Sequence, residues 1–180
     1  MASKVVSAGL LMYRFTGEPK ERMIELLLVH PGGPLYASFE RKGQAMWGIP
    51  KGLIEEGEDA FLAAQREFVE ETSFTLPADA KYLPLGESVY KSGKRVLAWA
   101  FEGDCDPSLL KSNLCEIEWP LHSGKKIMIP EVDRAQFFTI AEAREKMGDG
   151  QRGLLDALEK LFPAECARSA KAVPAGTLFS

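Results

Sequence analysis

Glu67, Glu70 and Glu71 stand at i, i+3 and i+4 of the stretch AFLAAQREFVEET. On a helix of about 3.6 residues per turn, that spacing puts three carboxylates on one face. Carboxylates so crowded raise one another's pKa unless something neutralises them. A divalent cation does so, and oxygen ligands suit Mg²⁺ or Mn²⁺ better than zinc. Glu55, Glu56, Glu58 and Asp59 come just before and deepen the negative potential, with Arg66 the single base of the run. An acidic helix face alone is more often plain solvated surface, so the surroundings must decide.

Those surroundings are specific. Pro50-Lys51-Gly52 supplies a rigid turn, a lysine that can meet a phosphate oxygen as a point charge, and a permissive glycine. Gly57 is a second turn glycine. A helix is expected over residues 58–72, with an acid-rich first turn that suits its dipole. Phe61 and Phe68, like Leu62 and Val69, are seven apart and fall away from the carboxylates. They are expected to dock the helix on a sheet, while Ala60 and Ala63 leave room on the acidic side.

The rest of the chain must build that sheet. Residues 5–15 and 23–30 read as strands parted by a turn, and a loop runs from His30 to about Gln44. AMWGIP reads as a short strand ending at Pro50. Residues 87–104 form a hairpin turning at Ser92-Gly93. Residues 115–120 read as a short strand or edge, 132–140 as another strand, and 141–147 and 153–162 as helices. Residues 1–163 make one domain and 164–180 a tail. Mixed strands and helices imply an α/β layered fold.

Composition agrees with one such domain. The chain has 180 residues, 46% hydrophobic and 27% charged, enough to bury a core without staples. Its net charge of −4 argues against nonspecific nucleic-acid binding through a broad basic surface, and no DNA partner is expected. Three cysteines, an odd number without CxxC spacing, argue against a disulfide framework or a zinc site. With no membrane-span or signal-peptide pattern, a cytoplasmic protein is expected.

GLIEEGEDAFLAAQREFVEETSF, residues 52–74, resembles the Nudix box, G-x5-E-x7-R-E-U-x-E-E-x-G-U, where U is a bulky apolar residue. Gly52, Glu58, Arg66-Glu67, Phe68, Glu70-Glu71 and Phe74 fill the pattern. Ser73 replaces its last glycine. A left-handed residue is often needed there, at a cost of about 1 kcal/mol for serine. The resemblance implies the Nudix fold, an α/β/α sandwich around a mixed β-sheet. It implies a pyrophosphohydrolase in which Glu67, Glu70 and Glu71 hold the metal and serve catalysis. Glu67 is the first choice for a base, and Glu58 and Arg66 brace the site. A backbone carbonyl at Lys51–Gly52 completes a metal shell. PEVDRAQFFTI resembles the segment that gives a further carboxylate, with Glu131 the candidate and Glu118 the runner-up.

The WGIPKG lead-in is similar to the W-x-x-P-K-G of dinucleoside polyphosphate and diphosphoinositol polyphosphate hydrolases. Lys51 and Trp47 are therefore substrate-binding candidates. A phosphorylated small molecule is the expected partner, first of all a nucleoside or dinucleoside polyphosphate, bound by a monomer or homodimer. An inositol pyrophosphate would want a dense basic patch, for which Lys91, Lys94, Arg95, Lys125 and Lys126 are available. An RNA 5′ end, or nucleotide sensing without cleavage, are the other readings. YKSGKR and LHSGKK lack the first glycine of a P-loop. His30 and His122 receive no role. Tyr36 and Trp119 are weak candidates for stacking on a base.

Overall fold

The computed structural model describes residues 6–44 and 46–171. Val5, Ala45 and residues 172–180 of the expected tail lie outside the described residues. The chain runs β1 (Val6–Thr16), β2 (Met23–Pro31), α1 (Pro34–Arg41), β3 (Lys51–Leu53), α2 (Ala60–Thr72), β4 (Tyr82–Val89) and β5 (Arg95–Glu102). It continues β6 (Leu114–Glu118), β7 (Lys126–Pro130), β8 (Val132–Thr139), α3 (Ile140–Lys146), α4 (Arg152–Leu161) and α5 (Pro163–Ser169).

One mixed sheet has the order β4-β5-β1-β2-β8. The β1–β5 pair is parallel and the other pairs of this sheet are antiparallel. β1 is long enough for one edge to serve two partners. Tyr13–Thr16 pair with β2, and Ser7–Gly9 with β3. β6 and β7 form a separate two-stranded arm.

Successive strand side chains point to opposite faces, and here both faces are covered, so β1 reads as a continuous apolar run. Ala8, Leu10 and Met12 pack with Leu27 against Ala63, Ala64 and Phe68 of α2. Leu11 and Tyr13 pack with Leu26 and Leu28 against α3, α4 and α5. The α/β/α sandwich implied by the sequence is the observed architecture.

Several elements differ from expectation. The loop expected to reach Gln44 contains α1, which opens with Pro34 in its first turn. Proline pre-sets φ for that turn, and the missing N–H costs nothing there. Of AMWGIP, the described residues make isolated bridges at Trp47 and Gly48; the ordered strand is β3, after Pro50. α2 starts at Ala60 rather than residue 58. The Asp59 carboxylate accepts from the N–H groups of Phe61 and Leu62 at 2.9 and 3.1 Å, and so caps the helix instead of entering it. Leu62 and Val69, expected to dock, are exposed; the small Ala63 and Ala64 do that work with Phe68. Residues 164–169, expected in the tail, belong to α5. There Ser169 Oγ donates to the Ile24 carbonyl at 2.6 Å and Cys166 is buried. The three cysteines are unpaired.

Candidate functional site

The site is built where β3 feeds the loop before α2. β3 is pinned to β1, which fixes the backbone of Lys51 and Gly52. From there Glu55 and Glu58 clasp each other: the Glu55 N–H donates to Glu58 Oε2 at 3.0 Å, and the Glu58 N–H to the Glu55 carbonyl at 3.1 Å. Arg66 then ties loop to helix. Its Nε and Nη2 donate to both Glu58 oxygens at 2.8 and 2.9 Å, and Nη2 also to the Leu53 carbonyl at 3.0 Å. This pairing holds the Glu58 carboxyl down near about 2.

The three helix glutamates separate by environment. Glu67 and Glu71 lie a turn apart on the buried side, each 8% exposed. Glu70 is exposed on the helix rim and pairs with Arg66 Nη1 at 3.1 Å. The same Nη1 donates to Glu67 at 2.7 Å. Glu71 Oε2 accepts from the Lys51 N–H at 2.9 Å. The expected single ridge is thus a buried pair plus an outer carboxylate. Arg66 Nη1 bridges Glu67 and Glu70, while Glu71 turns to Lys51. Among the described residues, no three histidine, cysteine, aspartate or glutamate side chains stand close enough to form a ready-made metal cage.

Burial dominates the electrostatics. It pushes the Glu71 carboxyl up to about 7, against the opposing pull of the Lys51 ammonium and N–H, and Glu131 and Glu67 add to the rise. Burial also raises Glu67, opposed by Arg66 and reinforced by Glu70 and Glu131. Glu131 therefore faces both. It is set there by Asn113, whose Nδ2 donates to Glu131 Oε2 at 2.6 Å and whose carbonyl accepts from the Glu131 N–H at 3.1 Å. The Asn113 N–H in turn donates to the Glu70 carbonyl at 3.0 Å, so a single residue joins Glu131 to the end of α2. Lys51, Glu71 and Glu131 share a cavity of about 280 Å³.

Gly52 is where the backbone and the Glu67 carboxylate come closest. A Cβ at this position would overlap the Glu67 carboxylate, so the bare backbone is what lets acid and main chain meet.

Two further residues join the site, one unforeseen and one offered by the sequence only as part of a general basic patch. Asn113 is one, and no pattern in LKSNLCE singles it out. Lys94 is the other: burial lowers its pKa first, then the nearby Lys51, while Glu71 raises it. Its proximity arises because β3 and β5 flank β1 on opposite sides.

Other candidates sit elsewhere. Trp47, expected to bind substrate, lies in the core on the other face of the sheet, edge-on to Phe138 at 4.9 Å. Its segment is held there by two bridges, Gly48 to Val29 and Trp47 to Met147, and Met147 belongs to the same core. Glu118, the runner-up carboxylate, accepts from the Gly124 N–H at 2.6 Å and closes the turn of the β6–β7 arm. Of the cations available for a basic patch, Lys91, Arg95 and Lys126 pair with Asp149, Glu87 and Glu116. Ser73 does adopt the left-handed conformation, φ 57° and ψ 14°.

The NUDIX domain model matches residues 4–158. No curated protein matches the chain. Solved structures do. An Ap4A hydrolase of C. elegans, in a binary complex, is 20% identical with a TM-score of 0.58, over 87% of this chain and 98% of that one. The NUDIX domain of Shewanella oneidensis NrtR, complexed with ADP ribose, is 12% identical with a TM-score of 0.58, over 89% and 90%. A mutT/nudix family protein from Listeria innocua is 17% identical with a TM-score of 0.54, over 92% and 98%. At these identities the likeness is one of fold. Among the described residues, no helix is long and apolar enough to cross a membrane.

Proposed function

This chain belongs to the NUDIX domain family and is by that membership a pyrophosphohydrolase; we propose that it cleaves a pyrophosphate bond in a nucleoside polyphosphate, first of all a dinucleoside polyphosphate. The observation that carries this reading is the burial of Glu67 and Glu71 opposite Glu131, beside the lysines Lys51 and Lys94.

Buried carboxylates that raise each other's pKa need a cation, and Mg²⁺ or Mn²⁺ fits their oxygen donors. Glu67, Glu70, Glu71 and Glu131 would hold it together with the Gly52 carbonyl. When bound, it lowers the pKa of a water and offsets charge on the phosphate oxygens. Glu67, buried and oriented by Arg66, is the first candidate to take the proton of the attacking water. Lys51 and Lys94, both close to Glu71, would hold the anionic phosphates as point charges. Glu58 and Arg66 keep loop and helix in fixed relation while this happens. Three free cysteines suit a reducing compartment, and we place the protein in the cytoplasm.

The pairing of Lys91, Arg95 and Lys126 with acids weighs against a diphosphoinositol polyphosphate, whose charge calls for a dense basic patch. An acidic net charge of −4 weighs mildly against RNA 5′ ends. The test is hydrolysis of diadenosine tetraphosphate with Mg²⁺, read by product mass. Glu71→Gln and Glu67→Gln should each lower kcat by about 100-fold or more. Wild-type turnover in Glu71→Gln at saturating Mg²⁺ overturns the site. Calorimetric nucleotide affinity without turnover in the wild type, at any Mg²⁺ or Mn²⁺ concentration, would make the chain a sensor instead.

A further inference from the structure

The β6–β7 arm has an apolar inner face. Cys115, Ile117, Ile127 and Ile129 point one way and are only half-buried, while Leu114, Glu116, Glu118, Lys126 and Met128 point outward and are exposed. Across from it stands α1, a helix carrying Leu35, Tyr36 and Phe39 that buries none of its residues. Two apolar surfaces thus face each other without closing.

Their spacing is held from below. The Gly32 N–H donates to the Glu131 carbonyl at 2.9 Å. A side chain at Gly32 would strike the Pro130 carbonyl, and one at Gly33 would press on Ile129. The glycine pair lets the start of α1 lie directly on the base of the arm, and the two elements diverge from there. The gap between them is a cavity of about 310 Å³, walled by Leu35, Tyr36, Ile117, Trp119, Leu121 and Ile129.

This cavity is not separate from the acids. Gly32, Tyr36, Ile117 and Ile129 also line the cavity that holds Lys51, Glu71 and Glu131. Glu131 lies across from Asn113, and Ile117 is four residues further along the arm. At about 3.3 Å per residue, that is a run on the order of 13 Å from acids to apolar walls. A nucleoside joined to its phosphates spans such a run, with the ring at the apolar end.

We propose that the gap between α1 and the β6–β7 arm is the nucleobase subsite of this cleft, taking a planar aromatic ring by stacking and apolar contact without reading its hydrogen-bonding edge. The proposal rests on the pyrophosphohydrolase reading above and names the part of the substrate that lies beyond the phosphates. Its walls carry two aromatic rings, Tyr36 and Trp119, and, apart from Glu118, aliphatic side chains and glycine. Glu118, the charged residue on the wall, is already engaged by the Gly124 N–H. Stacking is tolerant of base identity because every base has a π-face, whereas discrimination needs donors and acceptors aimed at the base edge. Binding energy made equally in ground and transition state appears in KM rather than kcat.

The test measures kcat and KM with Mg²⁺ for diadenosine, diguanosine and dicytidine tetraphosphates. In the wild type the three KM values should agree within about threefold. Tyr36→Leu should raise all three about tenfold, with kcat changed by less than about twofold, and Tyr36→Phe should restore them. Ile117→Glu, a charge placed in the gap, should weaken all three at least as much. KM differing by about 100-fold between bases, or unchanged KM in both Tyr36→Leu and Ile117→Glu, overturns the proposal. A parallel assay keeps it independent of turnover. Fluorescent etheno-ADP is titrated into Glu71→Gln protein, with and without Tyr36→Leu, each checked for folding by circular dichroism. Loss of etheno-ADP affinity on Tyr36→Leu supports the subsite even if no substrate is hydrolysed, an outcome that sinks only the hydrolase reading. Unchanged etheno-ADP affinity, with an alkyl diphosphate bound more weakly instead, assigns the gap to an aliphatic chain and overturns it.

Discussion

Lys94 shows what residue types alone leave out. In sequence it belongs to YKSGKR, a turn rich in exposed cations, and nothing separates it from Lys91 or Arg95. The fold separates them. Arg95 turns to Glu87 and Lys91 to Asp149, while Lys94 goes inward, half-buried, toward Lys51 and Glu71. A buried ammonium beside another ammonium is held in a state its neighbours only partly favour. An anionic phosphate between Lys51 and Lys94 relieves that. Lys94→Gln is therefore expected to lower kcat/KM about tenfold, with a melting temperature equal to or above that of the wild type. Steady-state kinetics and a thermal melt on one preparation check both parts; unchanged kcat/KM removes Lys94 from the site. The acids were more legible than the lysine because their i, i+3, i+4 spacing needs only a helix to bring them together. Lys94 needs two strand pairings that no local pattern encodes.

At the scale of elements, α2 and the β4–β5 hairpin could be read directly, since each has its own periodicity and its own turn. α1 was hidden because the pair Gly32-Gly33 followed by Pro34 reads as a breaker, whereas here Pro34 begins a helix. β7 was hidden because KIMIP is short and gains its partner only from β6. The exit of α2 was legible with one refinement. Ser73 takes the left-handed conformation that the missing glycine would adopt freely, and its Oγ donates to the Lys111 carbonyl at 2.7 Å. The strain and the hydrogen bond are each about 1 kcal/mol and of opposite sign. Ser73→Gly should thus leave stability nearly unchanged, and Ser73→Ala should lower it by about 1 kcal/mol. Urea denaturation midpoints decide; equal losses in both variants would show that the conformation costs serine nothing.

At the scale of the whole molecule, α5 ties the late part of the chain back to the start of β2. Ser169 hydrogen-bonds Ile24, and Arg168 Nε donates to the Arg22 carbonyl at 2.8 Å, so the sandwich closes behind the sheet while the acid cleft faces the other way. Its stability should then carry the mark of the cleft in its dependence on pH. Glu71 is raised to about 7 in the folded chain, and Glu67 is raised as well. A group whose folded pKa lies above its unfolded one contributes fully below the unfolded value, and the contribution is lost as pH rises through the folded value. Without divalent cations the protein should lose up to about 3 kcal/mol from Glu71 between roughly pH 4.5 and 7. Glu58, held near about 2 by Arg66, acts in the opposite sense: its contribution is present above its ordinary range and lost as pH falls toward 2. The two windows do not overlap, so thermal melts from pH 4.5 to 8 isolate the first. With a chelator the melting temperature should fall across that range, and in Glu71→Gln the fall should shrink. Mg²⁺ takes the place of the proton, so the rise in melting temperature on adding it should be greater at pH 8 than at pH 5.5. A Mg²⁺ effect independent of pH would mean that the cation binds away from the buried pair.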